Sequence, residues 1–341
     1  MKSVLVGISG GVDSSVSAYL LKKQGYEVIG TTMKLFDSSS TKDCKDVCKK
    51  LNIKYVELDC KDIFKKCVIN YFIDEYKNAK TPNPCIECNK KLKFGYMFEY
   101  MKENNIDYIA TGHYAKVEYS DKYKRYVLKK ADNKDKDQSY FLYVIDKDIL
   151  SKLLFPLAKF NNKEEIRQIA KENNLGVSSK SDSQDICFIP DGDYKNFLEE
   201  NTIVKNKYGN IVFHDNVIGQ HQGLYKYTIG QRKGLGISHE TPLYVIGFNK
   251  DKNELIVGEE CDLYIDLFEV INYNLLAIDN INDPIKVNVK TRYRSLEYPA
   301  TIEEKNNKII VKLDKPIKGV TSGQSAVFYI DDIVVGGGII K

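Results

Sequence analysis

Ser3–Ile8 is a short, unbroken apolar run, the pattern of a strand buried on both faces. Val12, Val16 and Leu20 then recur at helical spacing, and Gly25 follows as a stop. Glu27–Met33 reads as the next strand, Thr41–Leu51 as helix, Lys54–Leu58 as strand and Lys61–Tyr76 as helix. Lys90–Glu103 reads as a further helix and Asp107–Thr111 as a strand. Strands alternating with helices predict a mostly parallel sheet covered on both faces. Residues 119–137 are polar and resemble a hairpin or loop. Asn162, with Glu165 three residues on, carries a capping signature for a helix through Glu172.

Near residue 200 the period changes from helical to two. Asn210–Phe213, Pro242–Phe248, Glu254–Val257, Ile285–Lys290, Lys308–Leu313 and Ala326–Ile330 read as strands, with Asn, Asp, Lys and Gly in the turns between them. The expected fold is therefore α/β. A parallel-sheet nucleotide-binding domain over 1–200 precedes a small β-rich domain over 201–262 and a β-barrel over 263–341. No internal repeat or low-complexity segment interrupts this plan.

The chain has 341 residues, too many for one core and enough for two or three domains. At 43% hydrophobic and 29% charged it has the balance of a soluble globular protein, not a disordered one. The start, MKSVLVGISGGVDSS, breaks on Gly and Asp too early for a signal peptide, and no apolar stretch is long enough to span a membrane. A cytoplasmic location is expected. There, eight cysteines argue against a disulfide framework and for metal, redox or catalytic use of some of them. The net charge is only +4, but all of the excess lies in residues 1–200, with 34 Lys+Arg against 30 Asp+Glu; the remainder holds 17 of each. Six lysines between 77 and 102 face only Glu87 and Glu99, a cluster that a polyanion could use; a solvated helix face has the same composition.

The strongest local signal is Ser9-Gly10-Gly11-Val12-Asp13-Ser14-Ser15, between the first strand and the first helix. Glycines let the backbone come close to a ligand, and free N–H groups at a helix start bind phosphate. A tight turn capped by Asp13 or Ser14 is the plainer alternative. The loop lacks the Lys that a Walker A motif places before its Ser/Thr, and Asp13 stands there instead. Such a loop suits gripping pyrophosphate, with Asp13 able to hold Mg2+ on the phosphates. That chemistry fits adenylation, in which an oxygen attacks the α-phosphate of ATP.

Two further stretches carry sulfur. TPNPCIECNKKLKF (81–94) holds Cys85 and Cys88 before a basic run, a spacing open to redox, metal or nucleophilic use. SDSQDICFI (181–189) ends a polar stretch on Cys187, which alone reads as a packed thiol. SGGVDSS resembles the loop of the N-type ATP pyrophosphatases. Taken with ATGHYA (110–115), KDQSYFL (136–142), GQHQGLYKYTIGQRKGLGI (219–237), KTRYR (290–294) and GQSAVF (323–328), the chain resembles the bacterial tRNA-specific 2-thiouridylase (MnmA) family, in matching order from Gly7 onward.

The resemblance implies ATP-driven adenylation of the 2-carbonyl of the wobble uridine in tRNAs for Lys, Glu and Gln, followed by sulfur transfer from a persulfide. It implies that Gly7, Ile8, Ser9, Gly10, Gly11, Val12, Asp13 and Ser14 hold the ATP phosphates, with Met33 and Gly112 near the nucleotide. Cys88 matches the nucleophile and Cys187 the persulfide carrier. Asn83, Pro84 and Cys85 match the stretch facing the target base. His113, Lys136, Asp137, Gln138, Arg292, Tyr293 and Gln324 match tRNA contacts; for His113 a hydrogen-bonded residue at a strand end is the structural alternative. A cysteine desulfurase or a sulfur relay protein is the implied donor. Lys90, Lys91 and Lys93 would stabilise a thiolate and grip phosphate alike.

One departure opens a second mechanism. Many members carry Asp where this chain has Cys85. In the first mechanism Cys187 bears the persulfide and the cycle ends in a Cys88–Cys187 disulfide. In the second, Cys85, Cys88 and Cys187 hold a 4Fe–4S cluster with one open iron. A zinc site is weaker, for want of a fourth ligand at ribbon spacing. Cys44, Cys48, Cys60, Cys67 and Cys261 read as packed thiols. Rival functions are another synthetase of the pyrophosphatase class, such as GMP synthetase, which needs no thiols at 88 and 187, and a non-enzymatic RNA-binding module, which consumes no ATP.

Overall fold

The computed structural model describes residues 1–37, 41–180, 186–201 and 207–341. The first part holds strands β1 (Ser3–Gly7), β2 (Glu27–Lys34), β3 (Lys54–Asp59), β4 (Tyr108–Ala110), β5 (Ala115–Ser120), β6 (Arg125–Lys130) and β7 (Leu153–Leu154). Its helices are α1 (Val12–Lys23), α2 (Lys42–Lys50), α3 (Lys61–Phe64), α4 (Asn70–Lys77), α5 (Pro84–Cys88), α6 (Met97–Glu103), α7 (Lys163–Glu172) and α8 (Tyr194–Asn201).

Five strands form a parallel sheet in the order β3-β2-β1-β4-β7. The apolar run of β1 explains its central place. Leu5 packs into a core shared with the long helical segment from Lys61 and with the aromatic residues around 140, while Val4 and Val6 face a second core under α1, α2 and α7. All three are fully buried, and each contributes roughly 1.5–3 kcal/mol by leaving water. From β1 the chain runs outward to β2 and β3, then returns to lay β4 on the other side of β1. The sheet thus has its switch point between β1 and β4. The strand C-termini at such a switch point are the usual ligand position in open α/β sheets.

Two helices depart from the plain periodicity read from the sequence. The Lys61–Tyr76 segment is helical, but a π-helical stretch over Lys65–Ile69 joins α3 to α4. The segment expected to start at Lys90 is already helical at Pro84, and its Asn89–Tyr96 portion is π-helical before α6. Asn83 caps α5, its side chain accepting from the Cys85 N–H at 3.2 Å, and Pro84 occupies the first turn. Asn162 caps α7 as its sequence implied, accepting from Glu165 N at 2.8 Å.

The central sheet, order β10-β11-β8-β9, uses β8 (Gly209–Phe213), β9 (Asn216–His221), β10 (Tyr244–Asn249) and β11 (Glu254–Gly258) around a small core of its own. Strands β12 (Tyr264–Leu275), β13 (Ile285–Lys290), β14 (Tyr298–Lys305), β15 (Lys308–Lys318), β16 (Ser325–Ile330) and β17 (Ile333–Ile340) follow. Their order β12-β15-β14-β13-β16-β17 closes by the β12–β17 pairing into a six-stranded antiparallel barrel. The polar stretch 119–137 supplies the β5–β6 hairpin, which extends the barrel sheet by pairing Lys129 with Ile333 of β17. The first and last parts of the chain therefore share one sheet. Among the described residues, no helix is long and apolar enough to cross a membrane.

Candidate active site

The glycine loop leaves β1 at the switch point and is knitted by its own serines. Ser9 N donates to Ser14 Oγ at 3.1 Å, and the Ser9 and Ser14 hydroxyls share a 3.1 Å bond. Ser14 and Ser15 Oγ donate back to Gly11 O at 3.2 and 2.8 Å. Ile8 lies buried behind the loop, its carbonyl taking Thr32 Oγ1 at 2.8 Å and Cys44 Sγ at 3.4 Å. Gly11 caps α1 without a side chain, and Val12 is buried beneath it. Gly112, just past β4, packs directly on this loop: a Cβ there would stand 2.9 Å from Ser14 N and 3.0 Å from the Asp13 carbonyl carbon. Only glycine fits. Met33, near the end of β2, is half-buried against the core on the Leu5 side of the sheet.

Two cations reach this loop from distant sequence. Lys163, the first residue of α7, pairs with Asp13 Oδ2 at 2.6 Å, while Tyr114 Oη donates to Asp13 Oδ1 at 2.9 Å. Lys180 donates to Gly10 O at 3.0 Å and pairs with Asp43 of α2 at 2.5 Å. Neither lysine was read from the sequence as part of the site. The only local signal was the Asn162 cap, which puts Lys163 at a helix start.

The thiols form a second centre. Cys85 is exposed, Cys88 half-buried and Cys187 exposed; all eight cysteines are free. Phe188 and Ile189, next to Cys187, are buried, and Phe188 meets Phe64, Phe72 and Phe197 at ring separations of 5.8, 5.3 and 5.2 Å. Cys187 thus stands on an aromatic anchor. The preceding motif residues Ser181–Asp185 lie outside the described residues.

Though solvent reaches Cys85 and Cys187, enough protein surrounds all three thiols for desolvation to raise each of them. The Cys187 thiol is pushed up to about 11 by burial first, then by Cys88 and Cys85, which places the three sulfurs in one electrostatic neighbourhood. Lys93 acts the other way on all three. The π-helical stretch explains its position. Five residues along an α-helix would turn Lys93 about 140° away from Cys88, whereas i→i+5 bonding stacks residues five apart on one face. Among the described residues Lys93 has no carboxylate partner, so its charge is not neutralised; Lys90 and Lys91 are exposed and act on Glu87 instead.

His113 links the two centres. It follows Gly112, bonds through Nδ1 to Thr111 Oγ1 at 2.8 Å, and packs on Phe94 and Phe155. Burial first, then Lys93, holds its imidazole well below the usual histidine range, so it is neutral at pH 7. Cys85, Cys88 and Cys187 do not come within reach of one metal ion: among the described residues no three His, Cys, Asp or Glu side chains are so grouped.

Several residues matched to tRNA contacts are occupied inside the protein. Asp137 is buried, accepting Ser139 Oγ at 2.7 Å and the N–H groups of Ala131 and Ser139 at 3.0 and 3.2 Å. Gln138 Oε1 takes the Tyr114 N–H at 3.0 Å. Lys136 is half-buried beside Asn133. Arg292 Nη2 donates to Gly319 O at 2.8 Å, to Ile229 O at 3.4 Å and to Thr321 Oγ1. Tyr293 packs on Phe141 at 4.4 Å, and Gln324 Nε2 donates to Thr81 O at 2.7 Å.

Comparison with known proteins agrees with this layout. The family model described as the tRNA methyl transferase HUP domain matches residues 2–191, the tRNA methyl transferase PRC-barrel domain matches 195–259, and the aminomethyltransferase β-barrel domain matches 265–340. A protein of Acetivibrio thermocellus named tRNA-specific 2-thiouridylase MnmA is 46% identical, over 100% of this chain and 99% of its own. Proteins of the same name from Halothermothrix orenii and Caldicellulosiruptor saccharolyticus are 45% and 43% identical over 100% of this chain and 99% and 98% of theirs.

Proposed function

The chain belongs to the tRNA-specific 2-thiouridylase family, and from that premise we propose a division of labour for its residues. Residues 1–200 carry the chemistry, and 201–262 with 263–341 support and orient the tRNA. Gly7–Ser14, with Met33 and Gly112, hold ATP at the β1/β4 switch point. The glycine loop at the start of α1 suits phosphate, and Gly112 packs on it so closely that a side chain there would meet the Ser14 N–H. Mg2+ would be held by Asp13 and would neutralise the leaving pyrophosphate; the Asp13 carboxylate already faces Lys163, which the ion must displace.

The uridine 2-oxygen attacks the α-phosphate of ATP, pyrophosphate leaves, and the C2–O bond now ends in AMP. A donor of the cysteine desulfurase or sulfur relay kind has loaded Cys187 as a persulfide. Its terminal sulfur attacks C2, and AMP leaves with the C–O electron pair. Cys88 thiolate then attacks the Cys187 sulfur, releasing 2-thiouridine and leaving a Cys88–Cys187 disulfide. Lys93 favours the thiolate that this last step needs. Asn83, Pro84 and Cys85 face the base, and the wobble uridines of the Lys, Glu and Gln tRNAs are the targets. The compartment is the cytoplasm.

One observation carries the reading: the phosphate-type loop packs on Gly112, and the next residue, His113, feels the same Lys93 charge as the three thiols. Nucleoside mass spectrometry of tRNA incubated with enzyme, ATP, Mg2+ and a sulfur source tests it. Wobble 2-thiouridine that appears only with ATP is expected; its absence from correctly folded enzyme rejects the assignment.

A further inference from the structure

The loop Gly319–Gln324 of the barrel touches the residues that lead into the thiol helix. Gln324 Nε2 donates to Thr81 O at 2.7 Å, and Thr81 N donates to Ser322 O at 3.0 Å. Between these bonds, Gly323 lies against the same segment: a Cβ there would stand 2.9 Å from Lys80 Cβ and from Thr81 N, and its φ of +88° also favours glycine. Thr81 is thus held as one strand holds another.

Little slack separates Thr81 from the sulfurs. Pro82 and Pro84 fix two φ angles and restrict the residues before them to extended backbone, which Asn83 adopts at φ −114° and ψ 97°. Both prolines are buried, and Asn83 caps the helix through the Cys85 N–H. At its far end the helix is tied again, by Asn89 Nδ2 to Phe141 O at 3.0 Å. The barrel loop itself is fixed from behind. Arg292 holds Gly319 and Thr321, Ile340 N donates to Gln324 O at 2.8 Å, and Tyr140 Oη and Tyr143 Oη hold Ser325 at 2.9 and 3.0 Å.

We propose that this barrel loop is a positioning element for the thiol centre, with Gln324 and Gly323 setting where Cys85 and Cys88 stand whether or not RNA is bound. The proposal rests on reading Cys85 and Cys88 as the thiol centre, and extends it by making the barrel part of the active site. A residue that only contacted tRNA would leave the free enzyme's thiols unaffected. A residue that holds Thr81 would not. Releasing Thr81 admits water to thiols whose ionisation is opposed by desolvation, so their reactivity should rise.

The test is alkylation of the tRNA-free, ATP-free enzyme by iodoacetamide, read cysteine by cysteine by peptide mass spectrometry. In Gln324→Leu, Gln324→Glu and Gly323→Ala, Cys85 and Cys88 should react about three- to tenfold faster than in the parent, the scale of losing one or two hydrogen bonds. Exposed Cys261 should keep its rate, and buried Cys44 and Cys48 should stay unlabelled. Wild-type rates at Cys85 and Cys88 in both Gln324 variants would overturn the proposal. So would a rise shared by Cys44 and Cys48, which would make the loop a general strut. Because the readout needs neither ATP nor tRNA, it stands or falls separately from the thiolation assay.

Discussion

Lys163 and Asp13 form an ion pair, Nζ to Oδ2 2.6 Å, across 150 residues of chain, with the lysine side chain only 11% exposed. The glycine loop has no lysine of its own, so this cation from α7 is the one that stands beside its aspartate. Replacing Lys163 by Met should raise the KM for ATP about tenfold, the scale of one charge-assisted contact of about 1.5–3 kcal/mol. The KM for tRNA should not move. Steady-state thiolation with each substrate varied separates the two; an unchanged KM for ATP would confine Lys163 to neutralising Asp13.

Lys93 opposes the desolvation of all three thiols. Thiol pKa values sit above their usual range here, so thiolate, and with it alkylation of Cys88, should increase with pH by about tenfold per unit until the pKa is passed. Lys93→Met removes the charge that lowers all three and should displace the profile to higher pH. Lys93→Arg should keep it near the parent. A Met variant with the parent profile would show that the charge at 93 does not reach Cys88.

Cys88→Ala and Cys187→Ala should each abolish 2-thiouridine while tRNA-dependent release of pyrophosphate continues, because adenylation uses the glycine loop and not sulfur. Pyrophosphate release and nucleoside mass spectrometry, run on the same samples, check both halves. Loss of pyrophosphate release in Cys187→Ala would mean that the two half-reactions are not separable in this way.

Cys85 is the residue on which the persulfide and cluster routes divide. Under the persulfide route, Cys85→Asp should retain thiolation with iron-free protein. Thiolation lost together with bound iron, in protein prepared without oxygen, would favour the cluster route.

Asn162 and Glu165 placed their helix correctly because a cap is local chemistry, complete within four residues. The same holds for Ser3–Gly7 and for Ile285–Lys290, where the apolar pattern alone defines the strand. The start of α5 was legible in principle, since Asn83-Pro84 is a cap followed by a first-turn proline. The π-helical stretches Lys65–Ile69 and Asn89–Tyr96 were not legible from the apolar periodicity. Strand β17 was missed because Gly336–Gly338 reads as a breaker, although the run is buried, with Gly337 lying against the ring of Tyr143. Within the site, the glycine loop and the cysteines were visible as motifs. Lys163, Lys180 and Thr81 were not, because each acts through a partner 150 or more residues distant.

The barrel closes only when β17 pairs with β12, and the hairpin from the first part of the chain leans on that same strand, Lys130 reaching Asp331 across 201 residues. A nascent chain therefore leaves the ribosome with its phosphate loop and the lysines that brace it already made, while the barrel loop that holds Thr81 is not yet translated. A stalled or prematurely terminated product would carry every chemical group of the reaction without the scaffold that aligns them. The support of the thiol helix is thus the last part of the site to be synthesised.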